Sequence, residues 1–208
     1  MSYHFAEVAA PKGAPLLFVL HGTGGDETDL LDLGRQLLPD AHLISPRGDV
    51  LEGGAPRFFK RLGMGVYDMA DLDRATGKMA AFLAEHVAAA EPSFVAALGY
   101  SNGANILASV LFRRPELVDR AVLMHPLIPF EPPAQPGLAE RKVLITAGRR
   151  DPICPPALTT RLEAYLREAE ADVTVEWHEG GHELRPGEVE AARRFLAPFA
   201  GKTKEPRR

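Results

Sequence analysis

A serine between glycines, an aspartate before a proline and a histidine after two glycines are the residues whose types and spacing could do chemistry together. Gly99-Tyr100-Ser101-Asn102-Gly103 fits G-x-S-x-G. The apolar run Phe94-Val95-Ala96-Ala97-Leu98 precedes it, and Ile106, Leu107, Val110 and Leu111 follow at helical spacing. The serine is therefore expected on a sharp strand-to-helix turn, in a strained backbone conformation that lifts its hydroxyl over the sheet edge. The new helix aims its N-terminal dipole at the reacting centre. A serine hydroxyl is a poor nucleophile at neutral pH. It needs a base within hydrogen-bond reach and a third group to orient that base.

Both partners are supplied further along the chain, after later strands. Val143-Leu144-Ile145-Thr146-Ala147 runs into Gly148-Arg149-Arg150-Asp151-Pro152, which places Asp151 just past a strand end. Val173-Thr174-Val175-Glu176-Trp177 runs into His178-Glu179-Gly180-Gly181-His182, and His182 sits beyond the Gly-Gly loop, before the last helix. His178 still belongs to the strand end, and Asp172 starts its strand at the wrong end of the sheet. Ser101, Asp151 and His182 are therefore expected as nucleophile, orienting acid and base. An oxyanion needs two N–H donors. Asn102, directly after the nucleophile, offers one. Thr23, in the loop His21-Gly22-Thr23-Gly24-Gly25-Asp26 after the first strong strand, offers the other. His21 is expected to brace that loop. Phosphate binding there is disfavoured, because G-x-G-x-x-G is absent and no Lys-Ser or Lys-Thr follows.

The elements that must position these groups alternate strand and helix, the pattern of an α/β domain on a mostly parallel sheet. Leu16 to Leu20 reads as a strand. A helix through Leu30, Leu33, Leu37 and Leu38 stops at Pro39, and 41–45 is a second strand. Residues 46–68 make a long connection rich in Gly, Pro and aromatics, expected to be functional rather than disordered. A helix over 70–90 leads into the nucleophile strand. Strand 118–124, a Pro-rich loop over 126–137, strand 142–147 and a helix from Pro156 to Ala169 follow. Strand 172–177 and a helix from Glu188 to Phe199 complete about seven strands if Tyr3 to Val8 adds an edge. One domain over 1–200 is expected, with a flexible basic tail over 201–208. The span between strands 118–124 and 142–147 is too short for a separate lid domain.

Composition bounds the partners. Of 208 residues, 46% are apolar and 25% charged, with a net charge of −4, so neither nucleic acid nor an anionic membrane is an expected partner. The single cysteine, Cys154, forbids an internal disulfide and suits a reducing compartment. No apolar run approaches the ~20 residues that span a bilayer. No secretory segment opens the chain, and a cytoplasmic location is expected. Cys154 itself reads as a small buried residue beside the Asp151 loop.

Two motifs carry less than their letters suggest. His178-Glu179-Gly180-Gly181-His182 matches H-E-x-x-H, which binds zinc only on a helix. Two glycines cost roughly 2 kcal/mol of helix propensity there and follow a β-patterned run. No metal or other cofactor is expected. Arg47-Gly48-Asp49 spells an adhesion tripeptide too short to carry information.

In these blocks, from about Leu16 to Leu196, the chain resembles the α/β-hydrolase phospholipase/carboxylesterase family. Within it, the chain is similar to the bacterial carboxylesterases associated with methylhydroquinone resistance. The resemblance rests on His21-Gly22-Thr23-Gly24-Gly25, Pro56-Arg57-Phe58-Phe59, Gly99-Tyr100-Ser101-Asn102-Gly103-Ala104-Asn105, His125-Pro126, Asp151-Pro152-Ile153-Cys154 and Gly180-Gly181-His182-Glu183-Leu184. It implies the α/β-hydrolase fold and the same Ser101, Asp151 and His182. Asn102 and Ala104 depart from the acyl-protein thioesterase branch, which argues against a lipidated protein as substrate.

The resulting expectation is a cofactor-free serine carboxylesterase for small to medium esters. The alternatives are a thioesterase or lysophospholipase-like acyl hydrolase and a non-catalytic ligand-binding protein of the same fold. A dienelactone-type hydrolase is a further alternative, which Ser101 speaks against because that type usually carries a cysteine nucleophile. Arg57, Phe58, Phe59, Met64, Val66 and Tyr67 are candidate pocket walls, with His125 and Leu127 bordering the opposite side. Packing of Phe58 and Phe59 onto the body is weighed equally. Arg57 is favoured as a brace to a loop acid such as Asp26 or Asp68 over a substrate-carboxylate contact. A second copy of the chain, as a homodimer, is the one macromolecular partner this reading admits.

Overall fold

The computed structural model describes residues 2–197. Continuous apolar runs make its sheet. β1 (Phe5–Val8), β2 (Leu16–Leu20) and β3 (His42–Pro46) come first, with α1 (Leu31–Leu37) between β2 and β3. All five side chains of β2 are fully buried. That is the signature of a strand covered on both faces, where alternation gives way to an unbroken hydrophobic run.

The 46–68 connection is not a plain loop. It folds into two small hairpins, β4 (Val50–Glu52) with β5 (Ala55–Arg57) and β6 (Arg61–Gly63) with β7 (Val66–Tyr67). Gly53 and Gly54 both take positive φ, 57° and 87°, as a tight hairpin turn requires. Short strands with few apolar residues leave little periodicity, so the sequence reading missed them.

The helix α2 (Met69–Ala90) follows, capped by the Asp68 carboxylate accepting from the Asp71 N–H. Then come β8 (Val95–Tyr100), α3 (Asn102–Arg113), β9 (Arg120–Met124), β10 (Lys142–Gly148), α4 (Pro156–Glu168), β11 (Asp172–His178) and α5 (Pro186–Leu196). The span between β9 and β10 holds a loop and one short 3-10 turn, Pro136–Leu138. The basic tail 201–208 and the last residues of the helix expected to reach Phe199 lie outside the described residues.

The seven strands order as β1-β3-β2-β8-β9-β10-β11, all parallel except β1, which runs antiparallel to β3. Alternate residues of each strand feed two cores. Leu16, Phe18 and Leu20 join α2, α3 and α4 on one face, while Leu17 and Val19 join α1 and α5 on the other. Each buried leucine or phenylalanine contributes roughly 1.5–3 kcal/mol. Neighbouring β2 and β8 therefore send their connections to opposite faces. A crevice must open beyond their carboxyl ends, and ligands of such sheets bind there.

Candidate active site

Ser101 stands at that crevice. Its φ is 52° and ψ −114°, a strained conformation for a residue with a side chain. The turn closes only because its flanking glycines have no Cβ. One on Gly99 would lie 2.4 Å from the Gly103 carbonyl, and one on Gly103 would lie 2.0 Å from the Leu20 oxygen. The Ser101 N–H donates to the Met124 carbonyl at 2.9 Å, tying the turn to β9.

The three side chains nominated from sequence meet here. Ser101 Oγ lies 2.9 Å from His182 Nε2, and His182 Nδ1 lies 2.7 Å from Asp151 Oδ2. Asp151 is buried, and its Oδ1 accepts the N–H groups of Ile153 at 2.8 Å and Cys154 at 2.9 Å. Burial alone would raise its pKa. The donors from Cys154, His182, His125 and Ile153 outweigh burial and hold it below the usual carboxylate value. Tyr100, absent from the sequence reading as a site residue, donates its hydroxyl to the His182 carbonyl at 2.7 Å and so anchors the histidine loop. Burial, reinforced by the charge of Asp151, pushes the Tyr100 pKa up to about 12, keeping that proton in place.

The loop after β2 is braced from three sides. His21 Nε2 accepts the Gly48 N–H at 2.9 Å, which puts its proton on Nδ1 for the Gly22 carbonyl at 2.6 Å. Arg57 Nη1 donates to Thr23 Oγ1 at 2.6 Å, and the Gly24 N–H donates to the Pro56 carbonyl at 2.9 Å. Asn102 Oδ1 accepts the Phe58 N–H at 2.8 Å, linking the Ser101 turn to the hairpins. The N–H groups of Thr23 and Asn102 have no acceptor among the described residues.

These groups open onto a cleft of about 280 Å³ lined by Thr23, Arg57, Arg61, Met64, Gly65, Tyr67, Tyr100, Ser101, Asn102, Asn105, Leu127, Ile153, Cys154 and His182. Arg57, Tyr67 and Leu127 thus stand where the sequence reading put them, and the Tyr67 hydroxyl donates to the Leu127 carbonyl. Four of the residues expected around it do not line it. Phe58 and Phe59 are fully buried, Phe58 against His21 with ring centroids 4.7 Å apart and Phe59 against Tyr67 at 4.8 Å. They pin the hairpins to the body, the packing alternative. His125 lies beneath the floor, fully buried. Val66 points outward. Arg57 is a brace, but to Glu52 at 3.3 Å and the Phe59 carbonyl at 3.2 Å. Asp26 is taken by Thr28, and Asp68 caps α2.

Below the floor lies a network of which sequence reasoning saw only single members. His125 Nδ1 lies 2.9 Å from Asp151 Oδ2, and its Nε2 lies 2.9 Å from Glu188 Oε1. Glu188 also accepts from Thr146 Oγ1 at 2.6 Å and from the Arg185 N–H at 2.7 Å. Burial opposes the charge on each member. Even so, the pKa of His125 is raised by the two carboxylates, and that of Glu188 is lowered by His125 and Thr146. Cys154 is buried as expected, its Sγ 3.2 Å from the His125 carbonyl. Burial and Asp151 push its pKa up, so the thiol keeps its proton. The stretch 178–182 is a strand end and a bend, not a helix.

A mostly parallel seven-stranded sheet with helices on both faces and a glycine-flanked serine at its switch point makes this an α/β-hydrolase. The dienelactone hydrolase family model matches residues 58–184, and the chain belongs to that family. MhqD of Bacillus subtilis (strain 168) is 47% identical over 184 residues, covering 86% of this chain and 91% of that protein. The Bacillus cereus carboxylesterase is 41% identical, with a TM-score of 0.85 over 92% of each chain. Atu2452 of Agrobacterium tumefaciens strain C58, a protein of unknown function, is 56% identical, with a TM-score of 0.89 over 95% of this chain and 97% of that one. Membership in this family does not bring the cysteine nucleophile weighed from sequence: the elbow carries Ser101.

Proposed function

We propose that the protein is a serine carboxylesterase acting on small to medium carboxylic esters. The observation that carries this reading is the unbroken chain from Ser101 Oγ through His182 to the buried Asp151, opening into the cleft. His182 Nε2 takes the Ser101 proton as Oγ attacks the ester carbonyl, and Asp151 holds Nδ1–H and offsets the imidazolium charge. The free N–H groups of Thr23 and Asn102 receive the oxyanion. The alcohol leaves with the proton from His182. Water, activated by the same imidazole, then releases the acid from the acyl-enzyme.

Cleft size supports the substrate range. At about 280 Å³ it falls just under the range of ligand pockets, which run from ~300 to ~1,000 Å³. Its apolar rim of Met64, Leu127 and Ile153 suits short acyl or aromatic groups. The bacterial carboxylesterase relative described above supports the ester linkage.

The test is Ser101→Ala on a short p-nitrophenyl ester, together with fluorophosphonate labelling of the wild type. Activity is expected to fall by at least ~10³-fold, and the label should map to Ser101. A variant with near wild-type turnover would refute the assignment. A panel varying acyl length, alcohol and thioester linkage should then show short oxygen esters turned over best.

A further inference from the structure

The side chain beneath the floor has a geometry that a neutral histidine does not satisfy. His125 Nδ1 hydrogen-bonds Asp151 Oδ2 at 2.9 Å, whereas its Nε2 lies at ion-pair distance, 2.9 Å, from Glu188 Oε1 without hydrogen-bond geometry, and all three side chains are buried. A neutral imidazole carries one N–H, so with Nδ1–H on Asp151 a bare Nε2 would lie 2.9 Å from a buried carboxylate oxygen. The missing proton could sit on a carboxyl or on the ring. Both carboxylates are already surrounded by donors. Asp151 accepts from Ile153, Cys154 and His182. Glu188 accepts from Thr146 and the Arg185 N–H. Groups so supplied are ionised, which leaves the proton on His125.

We propose that His125 is a resident imidazolium, held between Asp151 and Glu188, that acts as a positioning residue for Asp151 and sets the acid limit of the esterase activity. It divides the Asp151 Oδ2 charge between two imidazoles. Its own charge, with ring centroids 5.1 Å apart, opposes the second positive charge that forms when His182 takes a proton. The backbone supports the same placement. His125 adopts φ 51°, unusual for a residue with a side chain, and its N–H donates to the Thr146 carbonyl at 2.8 Å.

Every element packed around the ring contributes to its surroundings. β8 presents Tyr100 at 5.9 Å, the end of β11 presents His178 at 5.4 Å, and the following loop presents His182. The loop after β10 brings Asp151 and Cys154, β10 brings Thr146, and α5 brings Glu188. The only carboxylates among these groups are Asp151 and Glu188. His178 Nε2 also faces Glu188, at 3.3 Å. His125, His178 and Glu188 are spaced as a cation would need. However, His178 Nδ1 accepts the Gly180 N–H at 2.9 Å, which places its proton on Nε2, the nitrogen a cation would use. The cluster is therefore built to hold a proton.

The wild-type protein tests this directly. Ring ¹⁵N spectra at pH 8 should show one imidazole with both nitrogens protonated, and its absence would overturn the proposal. That signature should disappear in His125→Gln. In Glu188→Gln it should also be lost at pH 8, and an imidazolium surviving there would show that Glu188 does not hold it.

The catalytic part rests on Ser101, His182 and Asp151 acting as proposed. On that basis His125→Gln should move the acid limb of the kcat/KM profile up by about one to two pH units. An acid limb that stays put while kcat falls would mean a structural role only. Full activity in Ser101→Ala would sink the esterase reading and leave the spectroscopic arm standing.

Discussion

Asp151 is the residue on which the site converges, because its two oxygens serve different masters. Oδ1 is held by the backbone N–H groups of Ile153 and Cys154, and Oδ2 faces both His182 and His125. The carboxylate is thus fixed before any substrate arrives. Asp151→Asn keeps the shape but offers His182 an amide where an anion stood. The expected result is a fall in kcat on the order of 10⁴, the size of the effect in the serine-protease triad, with little change in KM. Steady-state kinetics on a p-nitrophenyl ester measures both, and a loss confined to KM would count against the orienting role.

At the scale of elements, the two hairpins β4–β5 and β6–β7 do two jobs with two sets of side chains. Phe58 and Phe59, just after β5, are driven into the core beside His21 and Tyr67. Met64, at the β6–β7 turn, stays 65% exposed at the cleft rim. Phe58→Ala should therefore destabilise the protein by about 3–5 kcal/mol in urea unfolding and leave the ranking of acyl chain lengths unchanged. Met64→Ala should reorder that ranking by several-fold while unfolding at nearly the same urea concentration. A reordered ranking in Phe58→Ala would return that ring to the pocket wall.

For the whole molecule, the buried network beneath the sheet's carboxyl edge links folding to pH. Asp151 and Glu188 have pKa values depressed below their ordinary 3.8 and 4.5. Their contribution to stability is present above those values and is lost as pH falls through the folded ones. His125 is raised above 6.5. Its contribution is complete below 6.5 and is lost as pH rises through the folded value. Stability from this network should plateau between about pH 4.5 and 6.5 and decline on both sides. Thermal melts across pH 3–9 check this, and His125→Gln should flatten the alkaline decline. No helix among the described residues is long and apolar enough to cross a membrane.

Strand–helix alternation was legible because buried parallel strands are written as unbroken apolar runs. The run from Leu16 to Leu20 needs no partner to be recognised. Ser101, Asp151 and His182 were legible as well, since each follows such a run within a few residues, and parallel strands deliver their carboxyl ends to one edge. The sequence alone therefore determined the sheet, the edge that carries the site and the three side chains that meet there. It left open contacts made across long stretches of chain.

Arg57 pairs with Glu52 rather than Asp26 or Asp68, because a hairpin too short for a periodic signal folds Glu52 back onto it. Phe58 and Phe59 could read equally as wall or core until the surrounding layers were present. Following a strand end, His125 reads from sequence as a cleft-border residue, yet it is fully buried. Its partners come from positions 151 and 188, on two other elements. Only the tertiary structure sets two carboxylates against one imidazole. Local sequence encodes which residues become strands and turns, whereas the charge a buried ring carries depends on neighbours that only folding brings together.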